Sequence, residues 1–511
     1  MKNFRKIFAL LLVTMLALAL VSVATAETAT KTTKTTLNAV YDALHVNLVP
    51  SEQNDIPSVR IVALIYDTLV DFDEDLNIVP SLAERWEFTD DTTLQLFLKK
   101  GVKFHNGDDF TAADVKYSLD LAKVSPHTAE TTEMFDEIII VDDYHVTLTL
   151  KAPYAPTLAH LAHKACSIVS KDEMEKLGVE AYNEAPVGTG AFKYESFTPG
   201  DRVVLKRFDD YHGTLPQLEE VIIRQIADAS TRVIELEAGT ADLVLVVSPE
   251  DIARVESNDA LQMIRSTNLT QTYIGFNCEK EPFNNPLVRQ AINYAIDKDT
   301  IVDIVFKGTG APSNGPIAAK VWASIQNELE KFEYDIEKAK ALLTEAGYPN
   351  GFSCSIWAND NNAQRKDIAV IVQASLAQIG IDCAVEYVEW GKYLDDTAVG
   401  AHDMFILGWS TSTGDPDYGL YNTFHTNAWG TTGNRAFYTS EEVDRLLDAG
   451  KIETDTEARA KIYADAQQII RDDAPWVFVW QGEDCTGVAA NLHGFVNNPT
   501  GGHKLQNIYF D

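Results

Sequence analysis

Apolar and polar positions follow two different grammars along this chain. In the first half, Val146, Leu148 and Leu150 alternate with Thr147 and Thr149, the period of a half-buried strand. Residues 93–98 predict a second strand, running past Gly101 toward Val102-Lys103-Phe104, and residues 37–42 a short third one. Residues 58–70 carry apolar side chains at helical spacing, and Thr111-Ala-Ala-Asp114 reads as a capping box opening a helix with Val115 and Leu119 on one face. From residue 273 strands and helices take turns. The strand 273–277 precedes a helix with Asn285 as cap and Pro286 at its first position. Strands at 353–357, 383–388, 404–407 and 476–480 are interleaved with helices over 368–379, 441–447 and 457–471, the last capped by Asp455 and stopped by Pro475. The first part is mixed α+β. The second predicts a largely parallel, covered sheet.

Length turns these elements into more than one unit. A chain of 511 residues is too long for one core and predicts two to four domains or lobes. A formal charge of −34 gives a repulsive, solvated surface and excludes duplex nucleic acid as a natural partner. At the N-terminus, Lys2, Arg5 and Lys6 precede the apolar run 7–23 and Ala24-Thr25-Ala26, the pattern of a signal peptide over 1–26 cleaved before Glu27. The same run is long enough to span a bilayer; its small-residue ending favours cleavage. Losing those three cations takes the mature chain to −37. No cysteine stands at the cleavage point to carry a lipid, and 27–36 read as a Thr/Lys-rich leader.

Chemical signatures are sparse. HExxH, GxSxG and a complete phosphate loop are all absent; Val187-Gly-Thr-Gly190 and Gly308-Thr-Gly310 read as turns. Asp71, Asp73, Asp75 and Asn77 begin like a calcium loop, but Leu76 and Leu82 stand where a glycine and a glutamate are needed, so a hairpin turn is expected. His160, His163 and Cys166 share a helix face at a spacing of three; the flanking Leu158 and Leu161 point to packing, and no metal or other cofactor is expected. Of the five cysteines, Cys354 and Cys383 fall in strands that could be neighbours, which leaves a bridge open, while buried free thiols are the default at this size.

Several separated motifs occur in a recognisable order. They are Ser81-Leu-Ala-Glu-Arg-Trp-Glu-Phe88, Leu98-Lys-Lys-Gly-Val-Lys-Phe-His-Asn-Gly107, Phe110-Thr-Ala-Ala-Asp-Val-Lys-Tyr-Ser118, Pro186-Val-Gly-Thr-Gly-Ala-Phe192, Pro286-Leu-Val-Arg-Gln-Ala-Ile-Asn-Tyr-Ala295 and Gly408-Trp409, with Leu492-His-Gly-Phe495 and 503–509 at the end. Together they resemble the large solute-binding proteins of peptide-type ABC importers, the dipeptide, oligopeptide, glutathione and nickel group. The resemblance covers nearly the whole mature chain. It implies an α/β clamp of two lobes joined by a hinge, like a periplasmic binding protein, the large lobe carrying an extra mixed α+β subdomain. Lobe I would comprise 27–272, lobe II 273–483, and 484–511 would return to lobe I.

The stretch 408–430 then acquires a role. It follows the strand 404–407 and gathers Trp409, Tyr418, Tyr421, Phe424 and Trp429 with Asp415 and Asp417. Ligands in open α/β sheets sit beyond the carboxyl ends of strands, and in peptide-binding relatives this segment lines the cleft. Flat aromatic walls contact variable side chains without matching one shape. In those relatives an aspartate three residues after the tryptophan pairs with the ligand's amine; here that position is Ser412, and the run 410–417 is closer to the glutathione-binding branch. Asp415 or Asp417 either meets a cationic group of the ligand or shapes a turn. The position matching the family's carboxylate-binding arginine is Asn359, which leaves Arg365 or Arg435 for that part, or for surface ion pairs.

The implied function is capture of peptides or peptide-like solutes by a non-enzymatic, exported monomer, periplasmic or cell-surface associated, that hands its solute to a membrane permease. A sensor feeding a membrane receptor and a nickel-binding relative are the alternatives. A hydrolase with an acid pair is the enzymatic one.

Overall fold

The computed structural model describes residues 34–511 except 54. The expected signal peptide and most of the leader lie outside the described residues. One mixed sheet runs through the molecule. Its strands lie in the order Asp382–Val388, Ser353–Asn359, Met404–Ser410, Leu261–Phe276, Trp476–Ala489, Leu243–Val244, Thr36–Tyr41, Glu220–Gln225, Arg202–Arg207 and Phe192–Thr198, with Ala311–Pro312 pairing onto Trp476–Ala489. Two long central strands, Leu261–Phe276 and Trp476–Ala489, carry the chain from one half to the other and back. They are antiparallel, from Leu261 opposite Ala489 to Gly275 opposite Trp476.

These two strands do not pair evenly. Thr267 faces Glu483 and Gln271 faces Gln481, so Asn268–Thr270 bulge out opposite Gly482. Asn268 Nδ2 donates to Asp484 Oδ1 at 3.0 Å, and a Cβ at Gly482 would collide with the Asn268 side chain. Beside the bulge Arg265 grips Glu483 through Nε at 2.9 Å and Nη2 at 2.8 Å. On the Phe276 side of the bulge the sheet is stiffened by stacked rings, Tyr273 on Trp476 at 3.4 Å and Phe306 on Trp480 at 4.1 Å between centroids.

The parallel sheet expected for the second half is confined to three strands, Asp382–Val388, Ser353–Asn359 and Met404–Ser410. The crossing strand Leu261–Phe276 runs antiparallel to Met404–Ser410. Alternation with helices showed which segments are strands, but not that the chain enters and leaves this half on two antiparallel ones. Helix Ala363–Ala377 covers the parallel strands, burying Ile368, Ala369, Val372 and Leu376 against Ile356, Met404 and Ile406.

The extra subdomain is a four-stranded antiparallel sheet, Ala83–Asp90, Thr93–Leu98, His145–Leu150 and Phe135–Asp142 in spatial order. Helix Ala112–Val124 packs on it with Val115 and Leu119 buried. Its start is a full capping box, Asp114 Oδ2 accepting from Thr111 N at 2.9 Å. Asp71 to Asn77 lie in a hairpin between Val70–Phe72 and Ile78–Pro80, where Asp73 accepts from Asp75 N and Asn77 N. Cys354 and Cys383 face each other in register on parallel strands, and both thiols are free.

Candidate functional site

Between the two halves lies a cavity of about 560 Å³. Ile56, Arg60 and Val246 line it from one lobe, Gln364, Ser410, Ser412 and Tyr418 from the other, and Asn268, Glu483 and Asp484 from the crossing. Ser410 ends a parallel strand and Gln364 sits in the first turn of the helix that follows another, so the cavity occupies the carboxyl edge of the parallel strands. Two further cavities adjoin the 412–418 segment. One of about 240 Å³ shares Ser412 and Tyr418, and one of about 400 Å³ is walled by Phe88, Leu158 and Trp322.

Arg365 stands next to Gln364. Its Nη1 donates to Asn359 Oδ1 at 2.9 Å, and its guanidinium lies 5.6 Å from the Trp390 ring. No carboxylate pairs with it among the described residues. Burial holds its pKa below the ordinary arginine range, with Tyr393 and Tyr273 working against that. The uncharged Asn359 and the cationic Arg365 therefore occupy one place at the end of strand Ser353–Asn359. Arg435 is committed elsewhere. It is buried, and Nη1 donates to the Leu394 carbonyl at 2.6 Å and to Thr397 Oγ1 at 2.7 Å.

Trp409 is half-buried and packs on Tyr418, ring centroids 5.5 Å apart and tilted 34°. Its indole Nε1 has no protein partner. Trp409 is not in the lining of these three cavities; Tyr418 lines the central one and its neighbour.

The two aspartates do not point into the central cavity. Within the 408–430 stretch, Pro416–Phe424 is a helix, and Asp415 is its N-cap, accepting from Asp417 N at 2.9 Å. Asp415 also receives Arg459 Nη1 and Nη2, each at 2.7 Å. Asp417 is buried beneath that turn, with Tyr154 Oη 3.2 Å from its Oδ2. The carboxylates that do reach the cavity are Glu483 and Asp484. Burial pushes Glu483 up, but Arg265 and the Gly310 N–H outweigh it and keep the acid ionised. Burial holds Asp484 above its ordinary value, partly offset by Asn268. Neither residue was singled out in the sequence, where acids this numerous are indistinguishable until the sheet brings them together.

His160, His163 and Cys166 do not converge. His160 Nδ1 bonds the Thr131 carbonyl at 2.6 Å, His163 Nδ1 accepts from Ala165 N at 3.2 Å, and burial pushes the Cys166 thiol up to about 12.

Comparison with known proteins identifies the family. Residues 77–431 match the family of bacterial extracellular solute-binding proteins, family 5 (middle). The glutathione-binding protein GsiB of Pectobacterium atrosepticum is 33% identical over 467 residues, covering 89% of this chain and 90% of that protein. Among solved structures, HbpA2 from Haemophilus parasuis superposes with a TM-score of 0.88 at 29% identity, covering 93% of this chain and all of that one. The periplasmic binding protein DppA from Helicobacter pylori, in complex with the peptide STSA, gives 0.74 at 32% identity, covering 93% and 98%. The chain belongs to the family 5 bacterial extracellular solute-binding proteins.

Proposed function

We propose that this protein is the ligand-capturing component of an ABC importer, taking a peptide or peptide-like solute into the central cavity and delivering it to a membrane permease. The observation that carries this reading is Arg365: a guanidinium with no carboxylate partner, beside a cavity at the carboxyl ends of parallel strands. A ligand carboxylate would complete it with a charge-assisted, two-pronged hydrogen bond. Tyr418 supplies an aromatic wall with the Trp409 ring packed against it, and Asp484, which lines the same cavity, would meet a ligand amine. Relatives that bind glutathione and the peptide STSA support this ligand class.

The 27–272 and 484–511 segments form one lobe in this reading and 273–483 the other, closing by rotation at the Asn268–Thr270 bulge. The protein works without catalysis, as an exported monomer in the periplasm or at the cell surface. Among the described residues no helix is long and apolar enough to cross a membrane. Native mass spectrometry of the exported chain, followed by small-angle scattering with any solute it carries, tests the reading. A co-purified peptide-like mass that compacts the stripped protein supports it. A saturating ligand that leaves the radius of gyration unchanged contradicts the clamp.

A further inference from the structure

Tyr154, His160 and Asp417 form a hydrogen-bonded chain between the lobes. Tyr154 and His160 precede the first crossing strand, whereas Asp417 lies between the two crossings, in the first turn of helix Pro416–Phe424. Tyr154 Oη is 2.9 Å from His160 Nε2 and 3.2 Å from Asp417 Oδ2. At the far end His160 Nδ1 is 2.6 Å from the Thr131 carbonyl. All three side chains are buried, and Asp417 Oδ1 has no partner.

Counting protons constrains this chain. The Thr131 carbonyl only accepts, so Nδ1 carries a hydrogen. The phenol has one hydrogen for two neighbours. If it points to Asp417, Nε2 must be protonated to donate to the phenol; if it points to Nε2, the carboxyl must carry the proton. Both arrangements hold one proton more than a neutral imidazole beside a carboxylate. Without that proton one of the two hydrogen bonds is lost inside the protein, where an unmade bond is costly.

We propose that this chain is a proton-binding site built across the lobe interface, so that closing the clamp takes up one proton and opening it releases one. The groups facing Asp417 fit this assignment. Asp415 and Tyr421 share its helix, Lys451 comes from helix Glu441–Ile452, and Arg459 and Tyr463 come from helix Thr456–Asp473. Arg459 is spent on Asp415, and Lys451 Nζ lies over the Tyr421 ring at 3.4 Å. Burial pushes Asp417 up to about 6; Lys451 and Arg459 oppose this and Asp415 reinforces it. Burial also draws His160 below its ordinary value, so the proton rests on Asp417.

The sign follows. A carboxyl raised in the closed state favours closure at acid pH and loses that contribution as pH rises through about 6. Away from the crossing strands, other polar ties between the lobes include Ala155 N donating to the Lys451 carbonyl at 2.7 Å and Lys320 paired with the exposed Asp75 at 3.0 Å.

The inference rests on the lobe rotation proposed above. Its test is small-angle scattering of the exported chain, without added solute, across about two pH units either side of the Asp417 value of about 6. The wild type is expected to expand as pH rises through that midpoint. Asp417→Asn, whose amide donates to Tyr154 at every pH, stays compact with no transition. Tyr154→Phe breaks the chain and also loses the transition, which keeps the test decisive if the first variant folds poorly. Infrared difference spectra give a second readout, a protonated-carboxyl band on the acid side in the wild type that Asp417→Asn lacks. A flat wild-type profile, or a variant that tracks the wild type, overturns the proton site whether or not glutathione, added separately, compacts the chain.

Discussion

Arg459 holds Asp415 through two parallel hydrogen bonds of 2.7 Å, and both side chains are buried. The carboxylate also caps helix Pro416–Phe424. An aspartate engaged twice in this way fixes the 408–430 segment against helix Thr456–Asp473, which makes its expected role structural. Asp415→Asn keeps a capping side chain but strands a buried guanidinium, a loss of about 3–5 kcal/mol. Urea unfolding checks this. An unchanged midpoint together with weakened solute binding would return Asp415 to the ligand.

Metal is expected to find no purchase at His160, His163 and Cys166. Each imidazole spends a nitrogen on a backbone partner, and the buried thiol stays protonated at neutral pH. Equilibrium dialysis with zinc or nickel should give no tight stoichiometric binding. Stoichiometric metal lost in His163→Ala would contradict this.

Stability should fall on acidification. Burial lowers His105 and His163 to about 4, and His402 and His503 to about 3. Their unfolded forms titrate near the ordinary histidine value of about 6.5, so the unfolded chain binds more protons between there and about 4. The four contribute fully above 6.5 and progressively less below it, each by up to about 1.4 kcal/mol per pH unit. Asp417 acts in the opposite direction, but alone among these five. The urea midpoint is expected to be lower at pH 5 than at pH 7.5, about one and a half units below and one above the reference histidine value. A flat or rising midpoint on acidification would contradict the buried neutral histidines.

Much of the fold is legible in the sequence because local signals agree with it. The Thr111 capping box, the Asn285-Pro286 start and the Asp455 cap each sit where a helix begins. Helix Pro416–Phe424 is the instructive miss. Gly419, Tyr418, Tyr421, Asn422 and Thr423 are weak helix formers, and the segment is held by burial and by its Asp415-Pro416 start. The cap was visible as a turn, but nothing in a linear reading places Arg459, 44 residues away, against it. The candidate site shows the same limit. Trp409, Ser412 and Tyr418 are reachable from a strand end, whereas Glu483 and Asp484 join the cavity only because two distant strands cross there.

Arg365 as the anchor for a ligand carboxylate is the central claim, and calorimetry tests it most directly. Glutathione and a panel of di- and tripeptides are titrated into the wild type and Arg365→Gln, each ligand with free and amidated carboxyl ends. The account predicts one ligand per chain and a loss of about 1.5–3 kcal/mol, roughly ten- to hundredfold in Kd, on removing either partner. Removing both should cost little more than removing one. Binding indifferent to Arg365, or losses that simply add, would contradict it.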